Sequence, residues 1–121
     1  MHNCGDNCQC PVFHKDVLDI VSAKAWSGRM IKQTTDLFKI LSNPTRLKIL
    51  NAITEEELCV CDIAYLLNIT KSAVSHQLRP LKQSKLVTWT QKGKMVYYRL
   101  SDPNLKQLIQ TASTLKENQH A

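Results

Sequence analysis

Two cysteines stand one residue apart in Glu57-Leu-Cys-Val-Cys-Asp-Ile-Ala64, and three more, Cys4, Cys8 and Cys10, cluster near the start of the chain. Side chains at i and i+2 point the same way only where the backbone is extended or just entering a helix. Leu58 and Val60 are therefore expected to turn inward and the sulfurs of Cys59 and Cys61 outward. A helix N-terminus also favours thiolate. Two thiolates fall short of the three or four ligands that a soft d¹⁰ ion usually takes. The first ten residues hold the missing donors in a C-x₃-C-x-C pattern, with His2 beside them. The bland alternative makes Cys59 and Cys61 small core residues; a second cysteine cluster in so short a chain weighs against it.

Five cysteines are an odd number, and the first residues lack the basic and apolar regions of an export signal. The expectation is a reduced, cytoplasmic protein using its thiols for metal binding or redox chemistry. No run of apolar residues is long enough to span a bilayer. A chain of 121 residues is one domain's worth, and a second copy would help to bury its outer helices. Sixteen basic against ten acidic residues, a formal charge of +6, suit a polyanionic partner. No phosphate loop, no nucleophile-base set and no carboxylate pair suited to catalysis can be assembled, so an enzyme is not expected.

Residues 1–10 read as a flexible, cysteine-rich metal-binding tail, and residues 11–121 as a single DNA-binding and dimerisation domain. Phe13, Val17, Ile20 and Val21 form the stripe of a helix from Pro11 to about Trp26. Ile31, Thr34, Leu37, Phe38 and Leu41 mark a second helix. Asn43 as N-cap and Pro44 at the first position open a third, which carries Leu47, Ile49, Leu50 and Ile53. CDIAYLL and KSAVSHQLRPLK then give two helices joined by about three residues, the spacing of a helix-turn-helix, with Asn68 suited to the left-handed turn position and Thr70 to an N-cap. LVTWTQ and KMVYYRL flank Lys92-Gly93 as a β-hairpin. A helix-turn-helix followed by a hairpin is a winged helix, so the fold class is mainly α with a β-hairpin wing. Asp102-Pro103 opens a last helix with Leu105, Leu108, Ile109, Ala112 and Leu115 on one face. This face and the first helix are expected to form a homodimer interface.

In the second helix of the motif Val74, Leu78 and Leu81 face inward, leaving Ser72, Ser75, His76 and Arg79 on the opposite side. Short hydroxyls let the helix approach a groove, and an arginine can pair with guanine or clamp a phosphate. Lys71 and Gln77 complete the candidate reading set, and Lys92, Lys94 and Arg99 make the wing basic. Pro80 is expected to bend the helix and to confine reading to Lys71 through Arg79.

LFKILSNPTRLKIL (Leu37 to Leu50), ELCVCDIA (Glu57 to Ala64), SAVSHQLRPLKQSKLV (Ser72 to Val87) and the wing GKMVYYRLSD resemble the ArsR/SmtB family of metal-sensing winged-helix repressors over nearly the whole chain. The resemblance implies a homodimer whose metal-free form binds an operator inverted repeat in double-stranded DNA and lets go when metal binds, derepressing efflux or sequestration genes. It is nearest to the CadC-type branch, in which Cys59 and Cys61 would join Cys4 and Cys8 around cadmium, lead or zinc. Cys10 and His2 are extra donors, and Cu(I) or Ag(I) would also suit the set. Ala64 stands where the arsenic-sensing branch has a third cysteine. A zinc site between C-terminal helices would need Asp102 with partners at positions now held by Asn104, Leu115 and Asn118, so the resemblance implies that this site is lost. Lys85 replaces a Gly usual at a left-handed position, at a cost of roughly 1 kcal/mol. Two other functions remain open on the residues alone: a repressor switched by thiol oxidation, and a metal buffer that no longer reads DNA.

Overall fold

The computed structural model describes residues 14–119. The chain divides into two units, Met1–Thr34 and Thr35–Ala121. In the first, α1 spans Lys15–Lys24, and α2 (Gly28–Leu41) begins there and runs into the second. The three described residues of the expected α1 stripe, Val17, Ile20 and Val21, are each at least half exposed, and α1 buries nothing. Pro11 and Phe13, placed in that helix by the sequence, lie outside the described residues.

The second unit contains the core. Asn43 caps α3 (Pro44–Ala52) by accepting a hydrogen bond from the Arg46 amide at 3.1 Å, and Pro44 takes the first helical position, where a missing N–H costs nothing. Ile49, Leu50 and Ile53 pack against Ile63 and Ala64 of α4 (Val60–Leu67) and Val74, Leu78 and Leu81 of α5 (Lys71–Gln83). Between α4 and α5 the chain reverses at Asn68, with φ 55°. The Ile69 amide donates back to the Ala64 carbonyl at 3.1 Å, so the helix end is satisfied within the turn. Thr70 then caps α5 by accepting from the Ala73 amide at 3.0 Å. These are the caps and the turn that the sequence predicts.

Pro80 does not end α5. The helix continues to Gln83, and the Ser84 amide donates to the Pro80 carbonyl at 3.0 Å. Proline removes only its own bond to the His76 carbonyl, and the turns on both sides carry the helix through. Lys85 follows with φ 60°, the left-handed position expected of it. The Leu86 amide closes the helix end on the Leu81 carbonyl at 3.0 Å.

Strands β2 (Val87–Lys92) and β3 (Met95–Leu100) form the wing, turning through Gly93 at φ 63°. A third strand, β1 (Leu58–Cys59), pairs with the other edge of β3, giving the order β1-β3-β2. Two residues are too few to show a period-2 pattern, so the sequence points to extended backbone at Cys59 but not to its pairing with β3. The last helix, α6 (Pro103–Gln119), starts where the Asp102 carboxylate accepts from the Asn104 amide at 2.8 Å, and Lys106 ties it to Glu55 at 2.7 Å. No helix among the described residues is long and apolar enough to cross a membrane.

Candidate functional site

Cys59 belongs to two elements at once. Its backbone pairs with Tyr97 in the wing, and it is the residue from which α4 starts. Asp62, three residues on, stands where a capping box places its acidic member, and its carboxylate accepts from the Cys59 amide at 3.2 Å. The Cys59 thiol donates to the same oxygen at 3.1 Å. Leu58 and Val60 do turn toward the core. The expectation of two outward sulfurs holds for Cys61, which is exposed, and fails for Cys59, which is only 5 % exposed. Cys59 is fixed by its pairing with Tyr97 in the wing and by the hydrogen bond of its thiol to Asp62.

That enclosure changes the chemistry expected of Cys59. Burial pushes its thiol above the ordinary value; the Asp62 amide opposes this, while the Asp62 carboxylate, through its hydrogen bond and its charge, adds to it. Without a metal, Cys59 is therefore a protonated thiol rather than the thiolate that the helix dipole alone suggests. Among the described residues no three His, Cys, Asp or Glu side chains are grouped to hold a metal. Only the Cys59 sulfur and the Asp62 carboxylate are brought together, while Cys61 is exposed beside them in sequence. Cys4, Cys8, Cys10 and His2, assigned to the rest of the site from sequence, lie outside the described residues. Asp62 was not singled out from sequence, although its spacing from Cys59 was the available signal.

The candidate DNA-reading face is on α5. Lys71, Ser72, Ser75, His76 and Arg79 are exposed, and their side chains have no hydrogen bond or ion pair within the described residues. Gln77 differs. It is half-buried on the flank of α5, and its Oε1 accepts from the Arg46 Nε at 3.0 Å, while Arg46 Nη1 also reaches the Ile40 carbonyl at 3.3 Å. Arg46 thus joins the end of α2 to the reading helix, a link across 31 positions that no local sequence signal gives. In the wing Lys94 is exposed and has no partner among the described residues. Arg99 donates to Thr90 at 3.1 Å, and Lys92 forms an ion pair with Glu57. The Lys92 ammonium also lies 5.4 Å from the centre of the Tyr97 ring. Lys82 sits over Trp89 at 5.1 Å, bracing α5 against the wing.

On α6, Leu105 is part of the protomer core, Leu108 and Ile109 are half-buried, and Ala112 and Leu115 are exposed. Phe38, Leu41 and Leu47 join Leu108, Ile109 and Ala112 around an apolar groove of about 780 Å³. Asp102 is engaged as a helix cap, and Asn104 lends its amide to that cap. The side chain of Asn118 lies outside the described residues.

Residues 43–88, from the cap of α3 into the wing, match the model of the "Bacterial regulatory protein, arsR family". A transcriptional repressor SmtB homolog from Synechocystis is 36% identical over 92% of this chain and 85% of its own length. The chain belongs to the arsR family of bacterial regulators. A cadmium resistance regulatory protein, CadC homolog, from Staphylococcus aureus is 35% identical over 88% of each chain. Among solved structures, the homodimeric winged helix-turn-helix domain of Mb0332 from Mycobacterium bovis superposes with a TM-score of 0.68 at 26% identity, covering 77% of this chain and 89% of that one. The family window contains α3, β1, α4 and α5, so in this arsR-family member both Cys59 and the reading face lie within the shared segment.

Proposed function

We propose that this chain is a homodimeric transcriptional repressor that leaves its operator when a soft metal ion joins Cys59 and Cys61 to the tail thiols Cys4, Cys8 and Cys10. The observation that carries the proposal is the double membership of Cys59. A ligand pulling on its sulfur acts on the first helix of the reading motif and on the wing together. Asp62 is a further donor within reach, as its carboxylate already lies 3.1 Å from the sulfur. Cadmium, lead and zinc suit such a set, and the name of the Staphylococcus aureus relative, a cadmium resistance regulator, points the same way. For metal to release DNA it must bind the DNA-free form more tightly, and DNA must weaken metal binding by the same factor.

Dimerisation is supported by the exposed stripe of α1 and, separately, by the groove that α6 forms with α2 and α3. Leu108, Ile109, Ala112 and Leu115 are the α6 contacts, with Leu105 supporting them from the core. Recognition helices in successive major grooves of an inverted repeat would then read through Ser72, Ser75, His76 and Arg79, with Lys71 and the wing cations Lys92, Lys94 and Arg99 on phosphates. Gln77 acts through its bond to Arg46, as a positioning residue. Such a protein works in the cytoplasm.

Cadmium titrated into the reduced protein on labelled DNA from upstream of its gene tests the function. Release is expected, while Cys59→Ser and Cys61→Ser bind the DNA and stay bound. Variants that respond to cadmium like the parent would overturn the thiolate site. Release by peroxide but not by metal would indicate an oxidation switch, and failure to bind DNA would indicate a metal buffer. The raised Cys59 thiol counts against the first, since thiolate is the form that oxidises readily. The open face of α5 counts against the second.

A further inference from the structure

Lys92 is the last residue of β2, next to the wing tip, where a cation would meet the DNA backbone. It is not idle in the free protein. Its ammonium is ion-paired with the Glu57 carboxylate and lies 5.4 Å from the centre of the Tyr97 ring. The ladder register fixes this arrangement. Cys59 pairs with Tyr97, Tyr97 with Thr90, and Lys92 follows two residues after Thr90, so all share one face of the sheet. Glu57, two residues before Cys59, extends that face on the far side of β3. Lys92 therefore reaches across Tyr97 to a carboxylate held at the start of the thiol-bearing strand. Its side chain is still 58 % exposed, whereas that of Glu57 is 27 % exposed. The cation is the partner that can leave.

We propose that Glu57 is an internal competitor for the DNA backbone, a carboxylate that takes the place of a phosphate on Lys92 and must give the lysine up before the wing can close on DNA. This rests on the DNA-binding function proposed above. Its neighbours support the assignment. Glu56 is exposed with no partner among the described residues, and Glu55 pairs with Lys106 of α6, away from the wing. Of the three successive glutamates only Glu57 engages a wing cation. Lys94, one residue past the turn glycine, has no such restraint.

The competition appears in the salt dependence of binding. A lysine that releases a counterion when it meets a phosphate adds about 0.9 to the slope of log affinity against log salt, and a lysine already neutralised by a carboxylate adds much less. Glu57→Gln should therefore bind a labelled duplex from upstream of the gene about two- to five-fold more tightly at 0.1 M salt, the range of an exposed ion pair. Its slope should be steeper by about 0.9. The same steepening is expected on a random duplex of equal length, because phosphate contacts carry no sequence information. Glu56→Gln removes the same charge one residue away and should reproduce neither change. Adding Lys92→Gln to Glu57→Gln should cancel the gain. A Glu57→Gln protein with the parent's affinity and slope overturns the inference and leaves the repressor function standing. So does a gain that Glu56→Gln matches or that survives the loss of Lys92, since either would mark a general charge effect. A parent that binds neither duplex takes down both the function and the inference.

Discussion

The two candidate DNA-facing regions are prepared in opposite ways. On α5 the side chains that would meet bases are exposed and have no partner among the described residues, while Val74, Leu78 and Leu81 on the other side fix the helix in the core. In the wing two of the three cations are already engaged: Lys92 with Glu57 and Tyr97, Arg99 with Thr90. Lys94 is the exception. Reading by the helix is thus a matter of rigid presentation. The wing's proposed contribution is an exchange of partners, and an exchange is easier to bias than a rigid face.

Four experiments would break or sharpen that contrast. Leu78→Ala should cost about 2–5 kcal/mol of folding stability in urea denaturation, because the side chain is 1 % exposed in the core; a small loss would mean that α5 is not held as described. Arg79→Ala should leave stability within about 0.5 kcal/mol of the parent and weaken binding to the upstream duplex by about 1–3 kcal/mol if the arginine contacts a base. Within the wing, Lys94→Gln should flatten the salt slope by about 0.9, and Lys92→Gln by clearly less. Equal losses would show that Lys92 is no more committed than Lys94. The smallest effect concerns pH. The Cys59 thiol is raised in the folded protein, so its stabilising contribution is complete below the ordinary thiol value and fades as pH rises through the raised one. Cys59→Ser should remove that alkaline loss in denaturation curves taken from neutral pH upward.

Much of the fold was legible because it rests on local chemistry. Asn43 with Pro44, Asn68, Thr70 and Asp102 each announce a helix end through their own backbone preferences, and each does that work here. The α5 face was legible from its 3.6-residue period, except at Gln77. That residue lies near the edge of the polar face, and whether it turns to DNA or to the protein depends on Arg46, which is distant in sequence. The thiol site was half legible. Spacing turned Leu58 and Val60 inward, but Cys59 is buried and pairs with Tyr97, a contact between residues 38 positions apart that no local signal gives. At Pro80 the helix carries on to Gln83, because a single missing amide does not outweigh the burial of Leu78 and Leu81 on either side of it.

The brevity of β1 has a consequence for how the thiol is reached. Its pairing closes a loop of 40 positions, from Leu58 to Tyr98, with two residue pairs to offset the lost chain entropy. The contacts of α3, α4 and α5 lie closer together in sequence and are far richer in buried apolar surface, so β1 belongs among the last pieces to assemble and the first to open. Amide exchange at Leu58 should therefore outpace that at Ile49, Leu50 and Ile63. Each such opening would uncover the sulfur of Cys59, so at the proposed thiolate site ion entry is expected to follow the fraying of this strand rather than diffusion to an open cleft.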